Sequence, residues 1–183
     1  RTRSALGAGR SRSLLVMTDD RTLLPNEEDI LAAIGDRPFD FASMEAMSNI
    51  YRAAAAIRRR AEQGVLRETG LSWGGYTTMW VLWIWGEMET GRLAVECDLS
   101  KGTLTGILNT LEGRGLVVRE RMDSDRRRML VALTVDGEQM IETLSPRFNR
   151  FETETTSSLD DDEKRELASL LRRIIVDTSG DRS

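Results

Sequence analysis

Five short polar side chains, Ser100, Lys101, Thr103, Thr105 and Asn109, are interleaved with Leu104, Ile107, Leu108 and Leu111, which recur at helical spacing. Hydroxyls, an amide and an ammonium on the exposed side of a helix can meet phosphate oxygens. They can also meet the donor and acceptor pattern that each base pair shows in the major groove. Further on, Asp125, Arg126 and Arg127 place a carboxylate beside two guanidinium groups between two β-rich runs. Arginines at a hairpin tip suit the negative potential of a narrow minor groove. Catalysis has far less to work with. The chain has no histidine and one cysteine, Cys97, which removes the usual zinc sites, histidine acid-base chemistry and any internal disulfide. No nucleophile is paired with a base, so no catalytic residue, metal or cofactor is expected.

The elements that position these groups run from Gly91 to Thr134. A short helix, Arg92 to Asp98, leads through Leu99 to Ser100, a good N-cap for a second helix over Lys101 to Arg114. Gly113-Arg114-Gly115 ends that helix. The period then changes to two, with Leu116, Val118 and Glu120 facing one way and Val117, Arg119 and Arg121 the other. A polar turn, Asp123 to Arg127, leads into a second strand from Met129 to Leu133. The fold class is mainly α with a small β-hairpin wing, in the layout of a winged helix-turn-helix over about 71–134.

The chain divides its charge unevenly. Its net charge is −4, yet Arg37 to Val135 holds 14 basic and 12 acidic residues while Asp136 onward holds 7 and 12, so the basic excess lies in the part of the chain that holds the winged helix. Residues 1–36 are expected to be a disordered N-terminal extension carrying one short helix, Asn26 to Ile34, capped by Asn26. Met17 followed by Thr18-Asp19-Asp20 reads as a natural start and residues 1–16 before it as a disordered leader, with a basic arm on DNA as the less favoured alternative. Phe41 to about Glu68 is one long helix with an apolar stripe. At roughly 40 Å it is longer than one small domain can cover, which suggests a partner chain. Ser72 caps a helix from Trp73 whose Met79 to Trp85 segment is apolar all round, predicting burial on most sides. Glu96 and Asp98 beside Cys97 predict a raised thiol pKa. Thr134 caps a helix from Val135 that contains Pro146. Asp160 and Glu163 cap the last one, whose four opening acids suit the helix dipole better than a metal. No apolar run approaches a membrane span, and a cytoplasmic protein is expected.

Thr103-Leu104-Thr105, Leu111-Glu112, Gly115-Leu116-Val117, Asp125-Arg126-Arg127 and Val131, Leu133, Thr134 and Gly137 match a known motif string in type, order and spacing. As a set they resemble the MarR (multiple antibiotic resistance regulator) family, from about Phe41 to Val176. The resemblance implies a MarR-like domain over 37–183, with dimerisation helices at about 41–69 and 135–178. It implies a homodimeric regulator, typically a repressor, reading a pseudo-palindromic operator on double-stranded DNA. Asp125 would orient an arginine of the wing. A small aromatic or phenolic ligand would bind between the dimer helices and the DNA-binding lobe, with Tyr51, Trp80 and Trp83 as candidate pocket walls. Peroxide-sensing members carry a cysteine in the first long helix, and this chain has none there. Gly106 and Thr110 stand where many members have basic residues. The competing readings are a winged helix used for protein contacts and an enzyme.

Overall fold

The computed structural model describes the backbone of residues 23–35, 37–122 and 125–179, and the side chains of these residues apart from 122, 125–127 and 179. The expected leader, residues 1–16, lies outside them. Two compact units divide between Tyr51 and Arg52. In the first, helix α1 (Pro25–Ile34) opens one residue earlier than expected, because proline lacks only an N–H that the first helical turn leaves unpaired anyway. Glu27 rather than Asn26 does the capping, its carboxylate accepting from Leu24 N at 2.7 Å. The other Glu27 oxygen accepts from Asn49 Nδ2 at 2.7 Å, so this buried carboxylate is bonded at both ends.

Helix α2 (Phe41–Gln63) is capped by Asp40, which accepts from the Ser43 amide and hydroxyl and is thereby held below the usual carboxylate range. It stops five residues short of Glu68. At Gly64 the chain leaves the helix in tight turns, with Leu66 N donating back to Ala61 O at 2.9 Å, and this turns Leu66 fully into the core. Burying that leucine outweighs continuing the helix. Of the 23 residues of α2 only Ala61 is buried.

In the second unit, helix α3 (Trp73–Trp85) begins where Ser72 Oγ accepts from Gly75 N at 3.1 Å. Tyr76, Thr78, Met79, Val81 and Leu82 are buried. The expectation of burial on most sides is corrected by Trp80, Trp83, Ile84 and Trp85, which line an exposed face. An all-apolar run has no period to show which side meets the core. Strand β1 (Met88–Glu89), helices α4 (Thr90–Glu96) and α5 (Lys101–Gly113), and strands β2 (Val117–Met122) and β3 (Asp125–Leu133) follow. Helix α4 ends two residues before the expected Asp98, which takes a left-handed φ of 50°, a conformation aspartate tolerates better than most residues.

The hairpin is wider than expected. The β1 strand joins it in an antiparallel sheet of order β1-β3-β2, with Met88 opposite Val131 and Val117 opposite Leu133. The backbone of β3 is extended from Asp125, so the segment Asp125 to Arg127 belongs to the strand and not to the turn. Helix α6 (Val135–Thr155) is capped by Thr134, which accepts from Gly137 N at 3.0 Å, and Pro146 lies within it. Its Phe148 stacks on Tyr76 of α3 with centroids 3.9 Å apart. Helix α7 (Asp161–Ser179) carries the expected reciprocal cap: Asp160 accepts from Glu163 N at 2.9 Å, and Glu163 from Asp160 N at 2.6 Å. The core lies between α3, α4, α5, α6 and the sheet, around Met79, Leu93, Leu108, Val131 and Ile141.

Candidate nucleic-acid interface

Helix α5 divides cleanly into two faces. Leu104, Leu108 and Leu111 are buried and Ile107 is half-buried against the core, so the opposite side is free. Ser100, Lys101, Thr103, Thr105 and Asn109 are all exposed. Ser100 Oγ accepts from Thr103 N at 3.1 Å and lies 2.8 Å from Thr103 Oγ1, so the cap joins two of the candidate contacts. The Thr105 hydroxyl donates to Lys101 O at 2.8 Å, which leaves its oxygen free to accept. Gly102 and Gly106 have open space above them, apart from Ser100 Oγ at 3.9 Å from the first. The exposed side of the helix is therefore low and polar.

Three arginines that motif reading did not single out hold this helix and the wing in place. Arg119 of β2 donates from Nε to Glu112 Oε2 at 3.1 Å and from Nη2 to Asn109 Oδ1 at 2.9 Å, linking β2 to α5. The pairing holds the Glu112 carboxyl below its usual range and raises the guanidinium. Arg114, just past α5, donates to Thr69 O at 2.6 Å and Gly70 O at 3.3 Å and ties the helix end to the approach to α3. Arg128 of β3 donates to both carboxylate oxygens of Glu89, joining β3 to β1. The one local signal that could have pointed to these contacts is the three-residue spacing of Asn109 and Glu112 on one helical face. The other partners are remote in sequence and carried no local signal.

The side chains of Asp125, Arg126 and Arg127 lie outside the described residues, as does the expected salt bridge among them. The proposed ligand-pocket residues are surface groups: Tyr51, in the first unit, is 69% exposed, and Trp80 and Trp83 are 36% and 38% exposed. Trp80 meets Trp85 edge-on with centroids 5.9 Å apart. A cavity of about 330 Å³ lies instead beside α5, among Thr90, Lys101, Thr105, Arg119 and Met129. Cys97 is buried, with Sγ 3.9 Å from Thr78 Oγ1. Burial pushes its thiol up; the Thr78 hydroxyl opposes this, and Glu96 adds least, so desolvation and not the neighbouring acids is the main cause.

A capped helix with an exposed polar face, buttressed by a three-stranded wing, defines a winged helix-turn-helix DNA-binding protein. The MarR family model matches residues 71–129, which span α3 to β3. The uncharacterized HTH-type transcriptional regulator YwaE of Bacillus subtilis is 34% identical over 155 residues, covering 83% of this chain and 91% of that protein. The chain belongs to the MarR family of transcriptional regulators. Among solved structures, AbsC, a MarR family transcriptional regulator from Streptomyces coelicolor, shares the fold with a TM-score of 0.70 at 22% identity, over 79% of this chain and 99% of that one. Reduced AbfR bound to DNA superposes with a TM-score of 0.61 at 25% identity, over 75% and 94%. Among the described residues no helix is long and apolar enough to cross a membrane.

Proposed function

We propose that the protein is a ligand-responsive repressor that binds a pseudo-palindromic operator as a homodimer in the cytoplasm. The carrying observation is the exposed face of α5: five polar groups on a helix whose other side is locked into the core. In this reading α5 enters the major groove, with Ser100 and Lys101 near phosphate at its N-terminus and Thr103, Thr105 and Asn109 toward base edges. Arg126 and Arg127 reach the minor groove, with Asp125 orienting Arg127. The DNA complex of AbfR supports the same use of the fold.

A gel shift with the DNA upstream of the protein's own gene, at two salt concentrations, tests the reading. Binding that weakens steeply with salt and exceeds binding to unrelated DNA is expected. Equal binding to both DNAs would leave a winged helix without operator specificity. For regulation, a small aromatic or phenolic effector is proposed to bind beside Trp80 and Trp83 of α3. Titration with aromatic acids should then change tryptophan fluorescence and release DNA with one midpoint. A screen in which no compound moves either signal would remove the effector from this proposal.

A further inference from the structure

Arg119 reaches from β2 across the exposed side of α5, and its guanidinium spans Asn109 and Glu112, which stand three residues apart on one helical face. A charged donor makes the stronger kind of hydrogen bond, and Glu112 in turn anchors the guanidinium. The Asn109 carboxamide therefore has a set orientation. Its oxygen faces the wing, and among the described residues nothing accepts from its nitrogen. We infer that Arg119 is a positioning residue that presents Asn109 to DNA as a hydrogen-bond donor, so that this position selects guanine over adenine. The inference rests on the reading that α5 enters the major groove.

Adenine is read by an asparagine that uses both ends of its amide, the oxygen accepting from the N6 amino group and the nitrogen donating to N7. Here one lone pair of the oxygen is taken by Arg119. Using the second would bring the adenine amino group against the guanidinium, donor facing donor. Guanine offers N7 and O6, two adjacent acceptors, to a group that has only N–H left to give. The preference thus comes from a residue that need not touch DNA itself. Because Glu112 balances the charge of Arg119, the pair should act on base choice and hardly on the salt dependence of binding.

Selection from a duplex library randomised across both half-sites tests this with the full chain. The variants are Asn109→Ala, Arg119→Lys, and Arg119→Met combined with Glu112→Gln so that no lone carboxylate faces the DNA. Thermal melting first shows that each is folded. Asn109→Ala should flatten one base pair per half-site, and wild type should prefer G·C over A·T there by about fivefold, as a single well-placed contact allows. In the double variant the amide is free to turn over. The preference at that base pair should then move toward A·T, with the other positions and the salt slope unchanged. Should the double variant fail to fold, Arg119→Lys, too short to hold both partners, carries the same expectation. Adenine preferred by wild type, no position dependent on Asn109, or a preference unmoved by loss of Arg119 would each overturn the inference. If wild type selects no sequence at all, the proposed function falls with it, whereas the other failures leave operator binding intact.

Discussion

A β-carbon built on Gly137 would lie 2.1 Å from the carbonyl oxygen of Leu116, which also accepts from Thr134 N at 3.1 Å. The contact is backbone on backbone, so no side-chain movement can relieve it. This gives a physical reason for the glycine that closes the Thr134-x-x-Gly137 motif: it lets α6 start directly against the base of the hairpin. Gly137→Ala should lower stability by about 3 kcal/mol, the upper range for overpacking, as measured by urea denaturation. A loss under about 0.5 kcal/mol, the range of a surface change, would mean the helix start can shift aside. Tyr76 supports a second prediction. Burial against Phe148, with Glu152 nearby, pushes its phenol from 10.0 up to about 12. The unfolded chain then gives up this proton first, so it binds fewer protons than the folded one above pH 10, and stability falls as pH rises from about 10 to 12. The loss should amount to roughly 2 kcal/mol by pH 12, and Tyr76→Phe should remove that part of the alkaline decline. Cys97 follows the same sign. Its raised thiol should alkylate slowly in the folded protein, and Cys97→Ser should keep both DNA binding and any response to peroxide.

The wing and the recognition helix set the predictions at the level of elements. Ser100 ends the turn before α5 and accepts from the otherwise unpaired amide of Thr103, so Ser100→Ala should cost about 1 kcal/mol of stability. Operator affinity should fall by more than that, because the same hydroxyl is proposed to contact DNA. Arg126→Ala should weaken operator binding by roughly 1 to 3 kcal/mol per half-site without altering the melting curve. If the contact is to phosphate, the slope of log affinity against log salt should drop by about 0.9. Unchanged affinity and slope would mean that β3 makes no DNA contact at that position. These elements were legible in the sequence because their signals are local: caps at Ser72, Ser100, Thr134 and Asp160, and a change of period after Gly115. Others were not. Two residues of β1 are too few to show a period, and Leu66 ends α2 by packing against groups far away in the chain. The clamp of Arg119 on Asn109 and Glu112 depends on the angle at which a strand meets a helix, which no spacing encodes.

At the scale of the whole molecule, α7 is an amphipathic helix without a buried residue among its described side chains. Leu167, Leu170, Ile174, Ile175 and Val176 are all exposed in the single chain, and Met44, Met47 and Tyr51 of α2 are exposed as well. The sequence showed these stripes but could not show that the chain's own core leaves them uncovered, since periodicity says which residues share a face and not what meets it. A fully buried aliphatic side chain contributes about 1.5 to 3 kcal/mol relative to an exposed one. Even half of that for each residue of the α7 stripe, on two chains, outweighs the lower estimates of the cost of association. A second copy is the proposed cover, and light scattering at micromolar concentration should give twice the 20.6 kDa chain mass. Leu170→Asp with Ile174→Asp should produce a folded monomer, because neither side chain belongs to the core and both would place charge in the interface. Linking two half-site readers makes the second contact intramolecular, so the monomer should lose on the order of 100-fold or more in operator affinity. Its affinity for an isolated half-site should stay close to that of the dimer, since α5 and the wing are untouched. A wild-type monomer that binds the full operator tightly would defeat this argument, and the stripe on α7 would then need another partner.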